Sequence, residues 1–167
     1  MIEPEKLLEF IKNRRSVRSF LKTPIAQDAI EMILEAGRWT PSASNRQPWE
    51  FIVIKDKEIL NNVASNAMYG NFVKRAPLAI AIVGKKSISS NWYVIDTSLV
   101  SMNMMLMAWS LGIGTCWIGS MDREKAKEIL KLSEDDYLLT ILPFGYIKGA
   151  IPKPTLRKSM EEIKKVL

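Results

Sequence analysis

From Val94 to Leu111 the chain reads VIDTSLVSMNMMLMAWSL, and its apolar side chains fall on nearly every side of a helical wheel, not along one stripe. A helix that is apolar all round must be covered on all sides, so the remaining elements have to be arranged around it. Gly112 follows directly and is a natural stop signal. Ser101, Asn103 and Ser110 interrupt the run, and no unbroken apolar stretch of about 18 residues exists, so a membrane span is not expected. Met102, Met104, Met105 and Met107 suit gap-filling in a core or an interface better than metal binding.

The flanking segments supply the cover. EPEKLLEFIKNRR places Leu7, Leu8 and Ile11 on one face behind Pro4, and TPIAQDAIEMILEAGRW repeats the pattern with Ile30, Ile33 and Leu34 and with Gly37 as a C-cap. Phe51–Ile54 and Pro77–Gly84 read as buried strands, with a helix from Asp56 to Asn66 between them. TCWIG and LLTILPFGY read as two more strands, separated by a helix from Asp122 to about Leu132, and RKSMEEIKKVL as a last basic amphipathic helix. Two helices precede the first strand and strict βαβ alternation is missing, which points to an α+β or three-layer arrangement. At 167 residues without a linker-like stretch, a single domain over 1–167 is expected.

Composition removes several chemistries. There is no histidine and one cysteine, Cys116, so Ser-His-Asp and Cys-His catalysis, His-based metal sites, multi-cysteine zinc and an intrachain disulfide are excluded. An enzyme of this composition would leave its hard chemistry to a bound cofactor. The net charge of +6 suits a phosphate-bearing partner, whether nucleotide, nucleic acid or anionic lipid, and equally a solvated lysine-rich surface. MIEPEKLLEF places acidic residues ahead of its apolar ones, against the order of a secretory signal, so the cytoplasm is the expected compartment.

Three stretches could carry function. In RRSVRSF, Arg14 and Arg15 stand in the last turn of a helix, where cations are stabilised, but Ser16 and Arg18 extend the cluster beyond it. Val17 alternates inward, leaving Arg14, Ser16 and Arg18 on one side, a donor set suited to a phosphate monoester. In TPSASNRQPWEF, Trp49 and Phe51 would hold Ser42, Asn45 and Gln47 in place, either as a capped surface turn or as a reader of a heteroaromatic ring edge. In LGIGTCWIG, Gly114 and Gly119 permit tight backbone or close approach to a flat ligand, and Cys116 among apolar neighbours reads as a buried, unreactive thiol.

Taken in order, RRSVRSF, PSASNRQPW, GIGTCWIG, LPFGY and the basic pair Arg157 and Lys158 resemble the nitroreductase superfamily of FMN-dependent oxidoreductases, from about residue 8 to about residue 160. The length is similar to that of its compact members, without insertions around the substrate pocket. The resemblance implies a three-layer α/β/α fold with a mixed, mainly antiparallel sheet, in an intertwined homodimer whose core contains the long helix. It further implies that Arg14, Arg15, Ser16 and Arg18 hold the FMN phosphate, ribityl chain and pyrimidine edge, with Arg157 and Lys158 completing the phosphate site. Pro41, Ser42, Ala43 and Asn45 would come from the partner chain to flank the ring system, and Trp117, Ile118 and Gly119 would approach it near N5. NAD(P)H would be the reductant and a nitroaromatic or quinone the acceptor. A flavin-binding or free-flavin-reducing protein is an alternative within that class; a basic nucleic-acid-binding module is one outside it, for which no recognised motif is present.

Overall fold

The computed structural model describes residues 2–167. Helices α1 (Pro4–Asn13) and α2 (Gln27–Arg38) come first, followed by strand β1 (Trp49–Ile54), α3 (Lys57–Ser65), β2 (Leu78–Lys85), α4 (Tyr93–Ser110), β3 (Ile113–Thr115), α5 (Arg123–Leu130), β4 (Asp136–Tyr146) and the single turn α6 (Met160–Ile163). The strands form one sheet in the order β1-β2-β4-β3 with every neighbouring pair antiparallel. Among the described strands the sheet is therefore antiparallel and not mixed; a parallel pairing occurs only as an isolated bridge outside the strands, Ser16 to Thr115.

Three layers follow from the period of two in β2. Leu78, Ile80 and Ile82 face one core with Ile30 and Ile33 of α2 and Val100, Met104, Met105 and Ala108 of α4. Ala79, Ala81 and Val83 face the opposite core with Leu60, Val63 and Ala64 of α3 and Ala126 of α5. The register between β2 and β4 shifts between Ile82 and Val83, a bulge that leaves Leu139 as the extra residue. Arg123 spans it, donating from Nε to the Leu138 carbonyl (3.2 Å) and from Nη2 to that of Leu139 (3.4 Å).

Local chemistry sets the element ends. Asp56 and Asp122 cap α3 and α5 by accepting from the Ile59 and Lys125 amides at 2.9 and 3.0 Å. Gly112, at φ +70°, turns the chain from α4 into β3.

The structure corrects four further sequence expectations. Gly37 lies inside α2, and Trp39 is the C-cap; a Cβ at Gly37 would come within 3.0 Å of Met104 and Phe51, so the glycine serves the approach of α2 to α4 and β1. TCWIG is not a strand: β3 ends at Thr115, and both the amide and the carbonyl of Ile118 are taken by the Thr140 hydroxyl (3.2 and 2.9 Å) in place of a ladder partner. The tail forms a single turn closed by a Ser159–Glu162 capping box, because nothing covers its apolar residues and so short a helix gains little alone. Finally, α4 is covered on one side only within the chain: Ile95, Leu99 and Met102 are exposed, as are Leu7, Leu8 and Ile11 of α1. Among the described residues no helix is long and apolar enough to cross a membrane.

At the ends of β1, β2 and β4, the Lys85 ammonium bridges Glu50 (2.5 Å) and Asp136 (2.6 Å). The second Asp136 oxygen accepts from the Ser133 amide and hydroxyl, both at 2.8 Å. Burial works to raise the Asp136 carboxyl, but Lys85 and Ser133 outweigh it and hold the group below its ordinary value. The folded carboxylate therefore keeps its charge to lower pH than the unfolded one. Its contribution is complete above the unfolded value of about 3.9 and is lost as pH falls through the lower folded value. We expect Asp136→Asn to cost about 2 kcal/mol at neutral pH, the scale of a hydrogen bond to a charged group, and the gap to the parent protein to shrink below about pH 4. Urea denaturation of both proteins across that range checks it; an equal gap at every pH refutes the assignment.

Candidate functional site

The segment Arg14–Phe20 is pinned across the sheet edge by its apolar members. Val17 donates its amide to the Thr115 carbonyl (2.9 Å), Phe20 bridges to Ile147, and the Leu21 amide bonds the Tyr146 carbonyl (2.8 Å). Two glycines make this possible. A Cβ at Gly114 would lie 2.7 Å from the Val17 side chain, and one at Gly145 would lie 2.9 Å from Phe20. Of the two uses the sequence allows, Gly114 therefore serves the close approach of a side chain of its own chain, whereas the space at Gly119 is open to 4.0 Å.

With Val17 and Phe20 buried, the polar members face a cavity of about 640 Å³. Arg14, Arg15, Ser16, Arg18 and Arg157 line it together, joined by Lys12 and Lys153, and no carboxylate is among the lining residues. Arg15 builds the wall: its Nη1 bonds the Lys12 carbonyl (2.7 Å) at the end of α1, and its Nε bonds the Pro152 carbonyl (3.1 Å), which ties the tail to the helix. Arg14 is the residue left wanting a partner. Its Nη1 is buried without a hydrogen bond, and burial, reinforced by Arg157 and Arg15 and opposed by Cys116, lowers its pKa. Such a group is satisfied by an anion that brings oxygens.

Arg18 also lines a second cavity of about 350 Å³, with Tyr69, Phe72, Trp117, Ile118, Gly119 and Ser120. Its guanidinium stands 5.9 Å from the Phe72 ring centroid. A cationic chamber thus adjoins an aromatic one through a shared arginine, a shape that suits a ligand with a phosphate at one end and a flat ring at the other. Cys116 is 2% exposed, and burial pushes its thiol up despite the opposing pull of Arg18, Ser16 and Arg14.

The remaining sequence candidates lie apart. Lys158 lines neither cavity, and neither do Pro41, Ser42, Ala43 and Asn45 of the same chain. That loop is strained, with Ser44, Asn45 and Gln47 at φ of 52°, 55° and 49°. Ser42 Oγ accepts from the Gln47 amide (2.9 Å) inside it. Two residues of α4 fix it from outside: Asp96 accepts from the Ala43 amide (3.1 Å), and Asn103 donates to the Thr40 hydroxyl (2.8 Å). Seven positions apart, they lie about two turns apart on one face of the helix.

Sequence reasoning missed Asp96 and Asn103 in this role, and also Tyr69, Phe72, Lys153 and the carbonyl of Pro152. For Asp96 a signal existed: a lone carboxylate in an otherwise apolar helix needs a partner. For the others, long-range contacts decide and no local pattern marks them.

A model of the nitroreductase family matches residues 11–68 and 61–146. A protein of Archaeoglobus fulgidus named as an NADH dehydrogenase/NAD(P)H nitroreductase is 34% identical over 151 residues, covering 86% of this chain and 87% of its own. Among solved structures, one carrying the same name from Parabacteroides distasonis superposes with a TM-score of 0.90 at 30% identity, covering 96% of this chain and 97% of that one. An FMN-dependent nitroreductase of Clostridium difficile superposes at 0.83 and 30% identity, covering 95% and 96%.

We expect Asp96→Ala to speed hydrogen exchange at the Ala43 amide by about tenfold or more, since a charged hydrogen bond is removed, with little change in the sheet. An unchanged exchange rate means that Asp96 does not hold the loop.

Proposed function

Because the chain belongs to the nitroreductase family, we propose that it is an FMN-dependent NAD(P)H oxidoreductase acting on nitroaromatic, quinone or similar acceptors. The observation that carries this reading is the buried, unpartnered Arg14 Nη1 in a carboxylate-free chamber that opens through Arg18 onto an aromatic cavity. FMN, when bound, would supply hydride-transfer chemistry between NAD(P)H and the acceptor, the two taking turns at the site in a ping-pong cycle.

The protein's part is binding and electrostatics. Arg14, Arg157 and Ser16 would hold the phosphate, with Arg15 keeping the tail wall closed over it. Arg18, common to both chambers, would stabilise negative charge developing at the polar edge of the ring. Trp117, Ile118 and Gly119 would form the floor of the ring site, where the open space at Gly119 leaves room for close approach. No step calls for a histidine, in keeping with the composition.

Two chains would complete each site. The exposed faces of α1 (Leu7, Leu8, Ile11) and α4 (Ile95, Leu99, Met102) support a homodimer that buries them. Pro41, Ser42, Ala43 and Asn45, which line neither chamber of their own chain, would flank the ring in the partner's site. Sedimentation equilibrium should return twice the chain mass; a monomer at every concentration contradicts the shared site.

The purified protein should show oxidised-flavin absorbance bands and release one FMN per chain. Arg18→Ala should weaken FMN binding or slow flavin reduction by about tenfold to a hundredfold, given roughly 1.5–3 kcal/mol for a hydrogen bond to a charged group. A colourless protein that takes up no added FMN overturns the reading, and a variant with unchanged binding and turnover removes Arg18 from it.

A further inference from the structure

A second cationic cavity lies outside the site described above and shares no lining residue with it. It measures about 860 Å³ and is lined by Lys22, Lys57, Lys74, Arg75 and Lys148 over a floor of Phe20 and Leu21, with no carboxylate in its wall. None of the five cations takes part in a salt bridge among the described residues. Elsewhere among the described residues Lys6, Arg38, Lys85, Lys125 and Lys127 each stand beside a carboxylate.

The backbone that presents these charges is held firmly. Lys74 and Arg75 stand on a short 3-10 turn between Val73 and Ala76, both fully buried. The Lys148 amide bonds the Ser19 carbonyl (3.1 Å), and Phe20 bridges to Ile147. Lys57 donates to the Ala76 carbonyl (3.0 Å), closing the wall between α3 and that turn. Four separate stretches of sequence thus converge on one concavity with like charges on five solvent-exposed residues, whose mutual repulsion an entering anion would relieve.

We propose that this cavity is a binding site for a small polyphosphate anion, either free or carried on a nucleoside. Four of the five cations are lysines, whose ammonium groups donate in any direction and so suit the many oxygens of linked phosphates more than the planar fork of a single carboxylate. Five unpaired charges exceed what one phosphate monoester needs. The cations ring a hollow of ligand size and do not run as a stripe along a face, which favours a small molecule over a nucleic acid duplex. The exposed Leu21 offers an apolar contact for a base at the edge of the cavity. The inference goes beyond the flavin reading and does not depend on it.

The test is calorimetric titration of sodium tripolyphosphate, and separately of ATP without magnesium, into the protein at low salt, with and without saturating FMN. Lys22→Gln/Lys74→Gln/Arg75→Gln is the variant of choice, because these side chains are exposed and Lys57, which closes the wall, stays intact. The proposal expects saturable binding of one tripolyphosphate in the presence of FMN, weakened about tenfold or more in the triple variant with an unchanged melting temperature, and retained in Arg14→Gln/Arg157→Gln. Tighter binding of ATP assigns the nucleoside-borne form, and equal affinities assign the free anion. No saturable heat, equal affinity in the triple variant, loss of binding only in the Arg14/Arg157 variant, or binding of an oligonucleotide but not of tripolyphosphate each overturns it. Should the triple variant fail to fold, Lys148→Gln alone must still weaken binding.

Discussion

The seating of Val17 and Phe20 against Gly114 and Gly145 governs the geometry of everything around it. Closely spaced arginines on a free strand would splay apart into water. Here two buried apolar side chains, with notches in the sheet cut to their size, fix the backbone so that Arg14, Ser16 and Arg18 emerge on one side. The same seating faces two ways, for the residues directly after Arg18 form part of the wall of the second cationic cavity. A larger residue at position 114 or 145 would lift the segment from the sheet and disturb both hollows together.

Holding like charges close is unfavourable, and the fold offsets it by structure, not by counterions of its own. Arg15 is spent on backbone carbonyls, Arg123 on the bulge of β4, and Lys57 on the wall beside Ala76. Among the described residues, Arg14 and Arg18 of one hollow and Lys22, Lys74, Arg75 and Lys148 of the other enter no salt bridge. Partial burial of Arg14 adds to the imbalance, because its Nη1 is kept from water without a partner within the chain.

Sequence patterning revealed most of the architecture because the layers obey simple periods. The unbroken apolar run of β2, the helix starts at Asp56 and Asp122, and the apolar stripe of α2 are local signals, and they were legible. What was not legible is decided by contacts distant in the chain. Ile118 leaves the ladder because Thr140, far along the sequence, supplies both hydrogen bonds that a strand would need. Gly37 has the look of a helix stop, yet its meaning comes from Met104 and Phe51. The RRSVR cluster was visible as a cationic chamber, whereas the tail from Pro152 to Thr155 that closes it carries no local mark of that role. The apolar circumference of α4 was read as burial on all sides; within the chain only one side is covered, and the exposed side calls for a second surface.

The single thiol adds a practical property. Cys116 is shut beneath the arginine segment with its pKa pushed up by burial, so at neutral pH it offers little thiolate to an alkylating reagent. A cysteine introduced anywhere on the surface would then be the one reactive handle on the molecule. Spectroscopic labels, surface tethers and electrode linkers could be attached at a chosen point without first removing the native residue.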